Sequence, residues 1–373
     1  MSTKTAALLL LGLFASCKSF PASLYVDPVV LEELERSRFY PDARDTQISG
    51  HMGVHLDYDL GPWEGELQED RYYRLPGPVE GILPKNFEPI ETTWSAGLAE
   101  GDLVLAKSLK AQGLAMTMFF EDFCFFNHVG VLVKHQDRWH VCESWPEFDK
   151  WSTTRSFAAR YSGEVMRVPL GEFLERYESV QIIRVASPEE GRVLAQVARE
   201  SLAEPALFDP YHDPTNEELS CTEYVCELLD AAQLDSPGTV SITNNRFALR
   251  AAYSLGYERS YYLVPDEFAR MDGAQHVAWI SRFDRRADIL IQRECYRTMH
   301  EEFQVDGRLG DYLKPSSFSL MGFRPTVEAF QRWALGYYRH NEMGDIRRVR
   351  RVLAQIYDFC FETKGLLSNR DRW

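Results

Sequence analysis

Phe125-Phe126-Asn127-His128-Val129-Gly130-Val131-Leu132-Val133 is the stretch on which the fold turns. It reads as an apolar strand with a histidine at its head. About ninety residues later, Ser220-Cys221-Thr222-Glu223 opens a helix with a cysteine in its first turn. A histidine at the start of a strand and a cysteine at the start of a helix are the two halves of a thiol–imidazole nucleophile.

Working outward from that strand, "AGLAEGDLVLAKS" carries an Asp-bearing turn at Asp102 and then a short apolar strand. On the other side, a polar turn at His135-Gln136-Asp137 leads into "RWHVCES". "EVMRVPL" and "VQIIRV" are two further β-branched runs, and "HVAWISRF" is a last one. Between them "SPEEGRVLAQVARESLA" reads as a helix, with Ser187 as N-cap, Pro188 at N1 and Glu190 at N3. "CTEYVCELLDAAQL" reads as a second helix, with Val225, Leu228 and Leu229 on one face. From about residue 285 the pattern is helical and charged, and "TVEAFQRWALGYYRHN" and "DIRRVRRVLAQIYDFCFETKGLL" carry apolar residues at three- and four-residue spacing. The reading is an α+β chain with an antiparallel sheet packed on helices and a C-terminal helical extension.

The 373 residues exceed one average domain and suggest two. With 13% aromatic residues the chain is not a disordered one. Its formal net charge of −15 argues against nucleic acid as a partner, since phosphate needs a basic surface, and against loose electrostatic attachment to anionic lipid.

Residues 1–17 read as a processing signal. Lys4 is a basic n-region, and Ala6 to Ala15, "AALLLLGLFA", is an apolar h-region too short to span a bilayer. Small residues before Cys17 resemble a bacterial lipobox, which would make Cys17 the lipidated new N-terminus, with ordinary secretion as the alternative. The expected location is the bacterial cell envelope, periplasmic or outer surface, with the body tethered to the membrane by acyl chains. Residues 18–94, rich in Pro, Gly, Asp and Tyr, read as an irregular N-terminal extension. Residues 95–284 are expected to form the domain that carries the candidate thiol–imidazole pair, and 285–373 the helical extension. The six remaining cysteines, Cys124, Cys142, Cys221, Cys226, Cys295 and Cys360, have irregular spacings without a zinc pattern. Free buried thiols plus one reactive thiol is the preferred reading, with three disulfides as the other.

A hairpin register follows from turn length. If residues 134–137 form a four-residue loop, Leu132 faces Trp139, Gly130 faces Val141 and His128 faces Glu143, all on one face of the sheet. A carboxylate there would hold the imidazole tautomer and favour its protonated form. A slip of one residue would send Glu143 to the opposite face. Ser220 as N-cap and Glu223 three residues on make a capping box, which puts Cys221 at N1. A thiol there faces the positive end of the helix dipole and unpaired N–H groups, which favour the thiolate and offer a place for an oxyanion. Glu223 works mildly against this. Taken singly, His128, Glu143 and Cys221 each also fit a structural role.

Together they form a pattern. "EGDLVL", "FFNHVGVLV", "WHVCES", "LFDPYHD" and "LSCTEYV", in that order, resemble the circularly permuted branch of the papain-like, NlpC-type hydrolases, and within it the YiiX-like lipoproteins and secreted amidases. The resemblance covers roughly residues 95–280. It implies Cys221 as nucleophile, His128 as general base and Glu143 as the residue that orients the imidazole. It implies further that Asp102 supports the site and that Asn127, Asp209, Tyr211 and Ser220 lie beside the substrate, with "FDPYHD" forming the approach to Cys221. The implied substrates are small peptides or cell-wall peptides, cleaved through an acyl-enzyme without cofactor or metal. Related permuted folds also handle lipid acyl groups, so an acyl hydrolase or acyltransferase is an alternative, and a non-catalytic envelope lipoprotein is another. His51, His55, His135, His140 and His212 lack metal-ligand spacing and read as loop residues.

Overall fold

A computed structural model describes residues 72–75, 97–109, 111–148, 161–177, 179–210, 212, 216–254, 259–282, 286–315, 321–340 and 346–370. The expected signal segment with Cys17, nearly all of the N-terminal extension, and Tyr211 lie outside these residues.

The protein is an α+β structure around one antiparallel sheet. Its strands are β1 (Tyr72–Leu75), β2 (Leu103–Lys107), β3 (His128–His135), β4 (Arg138–Phe148), β5 (Tyr161–Pro169), β6 (Ser179–Arg184), the short β7 (Val240–Ser241) and β8 (Tyr261–Tyr262), β9 (Gln275–Arg282), and a separate antiparallel pair, β10 (Leu313–Pro315) and β11 (Met321–Phe323). Seven of them form the main sheet in the order β1-β9-β6-β2-β3-β4-β5, while β7 and β8 pair with each other. Every neighbouring pair in the main sheet is antiparallel. The helices are α1 (Ala111–Met118), α2 (Leu170–Arg176), α3 (Pro188–Glu200), α4 (Cys221–Ala231), α5 (Arg246–Ser254), α6 (Pro265–Phe268), α7 (Arg286–Asp306), α8 (Leu309–Tyr312), α9 (Pro325–His340) and α10 (Ile346–Arg370).

The apolar run that opened the sequence analysis is continuous because both faces of β3 are covered, as are all five residues of β2. Leu103, Leu105, Val129, Val131 and Val133 face the larger core with α1, α3 and α4. Val104, Ala106, Leu132 and Val141 face a smaller one closed by Leu170, Phe173 and Leu174 of α2 and by Tyr177. The larger core runs without a break into Tyr296 and Phe303 of α7, Phe330 of α9 and Tyr357 of α10. The helices after residue 285 therefore share their apolar interior with the sheet.

Local signals place the two helices that flank β3. In α3, Ser187 caps the start, with Pro188 in the first turn and Glu190 completing the box. In α4, Ser220 accepts from the Glu223 N–H and the Glu223 carboxylate takes the Ser220 N–H, as the spacing predicts. α3 lies close over the turn before β2. A Cβ on Gly101 would come within 2.2 Å of the Gly191 carbonyl, and Gly101 sits at φ 83°, so a glycine is required there on both counts.

The hairpin register differs from the expected one. Leu132 pairs with Val141 and His135 with Arg138, which leaves a two-residue turn at Gln136-Asp137. Both turn residues lie in the left-handed region, at φ 51° and 60°, the geometry of a type I′ turn. Gln-Asp is not the sequence that usually marks such a turn, so turn length was misjudged by two. A shift of two keeps every side chain on its own face. Glu143 thus stays on the face of His128 but lies across from Gly130, diagonal to the histidine.

Candidate active site

His128 is the first residue of β3 and is 4% exposed. Its place is set from behind. The Asn127 N–H donates to the Ala106 carbonyl at 3.0 Å, and the Asn127 side-chain oxygen accepts from the Ser108 N–H at 2.9 Å. Asn127 therefore ties the head of β3 to the end of β2, with its side chain turned to backbone. The imidazole stacks on Tyr177 (5.5 Å between ring centres, 15° between planes) and meets Trp145 edge-on at 5.8 Å.

His128 Nε2 lies 2.5 Å from Glu143 Oε2. The other Glu143 oxygen accepts from Arg176 Nη1 at 2.9 Å. The carboxylate is fully buried, so its charge depends on these two cations. Arg176 is itself fixed, with its guanidinium 4.5 Å over the Trp145 ring and an ion pair to Glu172. Gly130 packs closely beside this contact. A Cβ there would stand 2.5 Å from Val141 Cγ1, 2.8 Å from the Cys142 carbonyl and 3.4 Å from Glu143 Cβ.

With Nε2 given to Glu143, Nδ1 is the ring nitrogen left for the Cys221 thiol, which lies near enough to act on the imidazole. Burial pushes the imidazole down, but the Cys221 charge and hydrogen bond, and then Glu143, outweigh it and raise His128 to about 9. Cys221 is the first residue of α4 and is 7% exposed. Ser144 Oγ donates to the Leu219 carbonyl at 2.6 Å, which fastens the start of α4 to the residue after Glu143. The Glu223 N–H is taken by Ser220 Oγ, so the first-turn N–H groups of Cys221 and Thr222 are those the helix leaves without an intrahelical acceptor. The Glu223 carboxylate is drawn back to the Ser220 N–H at 3.0 Å, away from the thiol.

The other five described thiols have a different environment. All six described cysteines are free. Burial pushes Cys142, Cys226 and Cys360 up to about 12, and raises Cys124 and Cys295 as well. They are neutral at physiological pH, whereas Cys221 faces an imidazole.

Of the remaining residues picked out in the sequence, Ser220 is committed to capping, with its hydroxyl also 3.3 Å from Thr222 Oγ1. Asp102 is not part of the site. It lies at the far end of β2, before the residue that pairs with Val131, while His128 pairs with Ala106. Its carboxylate takes Arg184 Nε and Nη2 at 2.7 and 2.9 Å and the Ala99 N–H at 2.8 Å. A Gly-Asp turn places its aspartate before the strand, and the histidine sits across the opposite strand end, so the two are separated by the length of β2. Asp209 is buried within the 207–219 excursion, which starts and finishes side by side through the Leu219 N–H and the Leu207 carbonyl at 2.8 Å.

Sequence reasoning missed Arg176, Ser144, Gly130 and His212. A glycine inside an apolar strand is a legible sign of close approach, so Gly130 was within reach. Arg176 had no local signal. His212, read as a loop histidine, lies edge-on to Tyr262 at 6.4 Å with Glu223 and Asp209 as charge neighbours. Burial lowers it, and those carboxylates act against the fall.

Among the described residues, no group of three or more His, Cys, Asp or Glu side chains is placed to hold a metal ion. No described helix is long and apolar enough to cross a membrane.

Fold and site define an α+β protein that buries Cys221, His128 and Glu143 around one end of an antiparallel sheet. Neither a protein-family model nor a curated protein matches the chain. A solved structure described as metalloprotein YiiX from Escherichia coli O157:H7 is similar over 49% of this chain and 97% of its own, with TM-score 0.39 and 18% identity. A likeness of that size carries no argument about activity.

Proposed function

We propose that this chain is a cysteine hydrolase with a circularly permuted papain-like core, cleaving amide bonds of small or cell-wall peptides. The observation that carries the reading is that buried His128, held through Nε2 by Glu143 at 2.5 Å, is also acted on by the buried Cys221 thiol. Such a set is what a thiol nucleophile needs, namely a base beside it and a third group that orients the base.

In this mechanism the proton of Cys221 resides on His128, and the imidazolium is held by Glu143. The sulfur attacks the amide carbonyl carbon, forming the S–C bond and moving the carbonyl electron pair onto oxygen. The first-turn N–H groups of α4 stabilise that oxyanion. As the C–N bond breaks, His128 gives its proton to the leaving nitrogen. Water then attacks the thioester carbonyl with His128 accepting its proton, the C–S bond breaks with Cys221 sulfur as leaving group, the carboxylic acid departs, and the Cys221–His128 pair is regenerated.

The N-terminal h-region and Cys17 support a lipid-anchored protein of the bacterial envelope, which makes cell-wall peptides the leading substrates. The test is turnover of peptide amides and peptidoglycan fragments beside matched esters and thioesters, with Cys221→Ala as control. Amide cleavage that is lost in Cys221→Ala supports the proposal. Cleavage of esters and thioesters alone moves the chain to the acyl hydrolases, and no cleavage with an unreactive Cys221 ends the enzymatic reading.

A further inference from the structure

We infer that Asp266 of α6 is a positioning residue for His128, acting through the backbone that leads into β3. The inference rests on the reading of Cys221 and His128 as a reactive pair.

Residues 121–127, between α1 and β3, belong to no helix or strand. Their backbone N–H groups therefore need acceptors from elsewhere. Asp266 supplies two of them at once. Its Oδ1 accepts from the Phe125 N–H and its Oδ2 from the Phe126 N–H, both at 2.9 Å, from positions 141 and 140 residues away in the chain. The next N–H, of Asn127, goes to Ala106 at 3.0 Å. Three successive amides ahead of His128 are thus pinned, and one carboxylate pins two of them. The side chains of Phe125 and Phe126 complete the clamp against Trp279 at 6.5 and 6.3 Å.

The carboxylate is held in turn. Burial raises its proton affinity, the two amides oppose that, and the charges of Arg293 and Arg270 add to the opposition. Arg293 lies on α7 and donates to Glu294 at 3.0 Å, and Glu294 takes Arg350 of α10 at 2.8 Å. A chain of charges therefore runs from the C-terminal helices through Asp266 to the backbone next to His128. This gives the helices after residue 285 a part in the site without a side chain in it. Because Cys221 arrives on α4, a different element, a small displacement of the loop would shift the imidazole relative to the thiol.

Asp266→Asn keeps size and shape but offers one acceptor, and turns an NH2 toward the second amide. The experiment is the rate of Cys221 carboxamidomethylation across pH, read by peptide mass spectrometry, in the full chain, Asp266→Asn and His128→Ala, with circular dichroism as the check on folding. The expected result is a folded Asp266→Asn protein whose labelling near pH 6 falls about tenfold, the equivalent of one pKa unit in the pair, toward the His128→Ala profile. A folded Asp266→Asn protein with the unaltered profile overturns the inference and leaves the pair standing. If His128→Ala itself keeps the unaltered profile, it is the pair that fails, and the role of Asp266 goes with it. Should Asp266→Asn not fold, Asp266→Glu, which moves both acceptors by one methylene, decides in its place: slowed labelling supports the inference and an unchanged profile overturns it.

Discussion

His128 and Glu143 meet at 2.5 Å across a diagonal of the β3–β4 hairpin, with Gly130 as the residue directly beside the carboxylate. A side chain at Gly130 would collide with Val141 and with the Cys142 carbonyl, so the hairpin is closely packed beside this contact. The contact leaves Glu143 buried between an imidazole and a guanidinium, and the consequences can be measured one residue at a time.

Glu143→Gln removes the anion that helps hold His128 protonated and leaves Arg176 facing a neutral amide. A loss of about one pKa unit at His128, roughly 1.4 kcal/mol, should slow Cys221 alkylation near neutral pH by about tenfold. An unaltered alkylation profile in a folded Glu143→Gln protein would remove Glu143 from the pair.

Gly130→Ala puts a methyl group 2.5 Å from Val141 Cγ1 and 2.8 Å from a backbone carbonyl that cannot rotate away. The expected cost in urea unfolding is about 1–3 kcal/mol. A variant as stable as the parent would mean that the hairpin has slack at this point.

The raised His128 sets a pH dependence of stability. Its folded pKa of about 9 lies above the unfolded value of 6.5. The folded protein therefore holds this proton more tightly than the unfolded chain. The resulting stabilisation is fully present below about pH 6.5 and is lost as pH rises through about 9, by linkage. Denaturation midpoints across this range should fall more steeply for the parent than for His128→Gln. Parallel curves would show that the imidazole carries no such proton.

Ser220→Ala strips the cap from α4 and frees the Glu223 N–H. Chemical denaturation should show a loss of about 1 kcal/mol, while Ser220→Gly should cost only a few tenths. Equal stability of all three proteins would show that the capping hydroxyl is dispensable.

Asp102→Asn breaks a bidentate pair with Arg184 at the other end of β2. The prediction is a stability loss of roughly 1–3 kcal/mol with no change in the pH profile of Cys221 alkylation. A shifted profile would return Asp102 to the site from which its position excludes it.

The contrast between Asp102 and Glu143 shows how far the chain could be read. Glu143 was expected from the hairpin register, and Asp102 from the resemblance alone. Glu143 was reachable because a period of two forgives a register error of two, and because only β3, a turn and β4 lie between it and His128. Asp102 could not be placed, since its partner Arg184 is 82 positions away and nothing local announces it. The two helix starts were legible in full, whereas the cysteines stayed open between free thiols and three disulfides, and the described ones are free. The two-residue turn was not, because Gln136 and Asp137 adopt left-handed conformations that their side chains do not advertise.

By itself the sequence determined whatever is settled within about one helical turn or one hairpin. That covers the capping box that puts Cys221 at N1, the strand that puts His128 at its head, and the sheet face that His128 shares with Glu143. Hydrogen bonds of that range join residues that are neighbours in the chain, so their pattern is written in spacing. Only the tertiary structure decided that Arg176 would share Glu143, that Asp102 would turn to Arg184, and that Asp266 would hold the backbone ahead of His128. Those contacts satisfy buried charges and buried amides with whichever complementary group the packing brings near, and packing joins elements that the chain keeps apart.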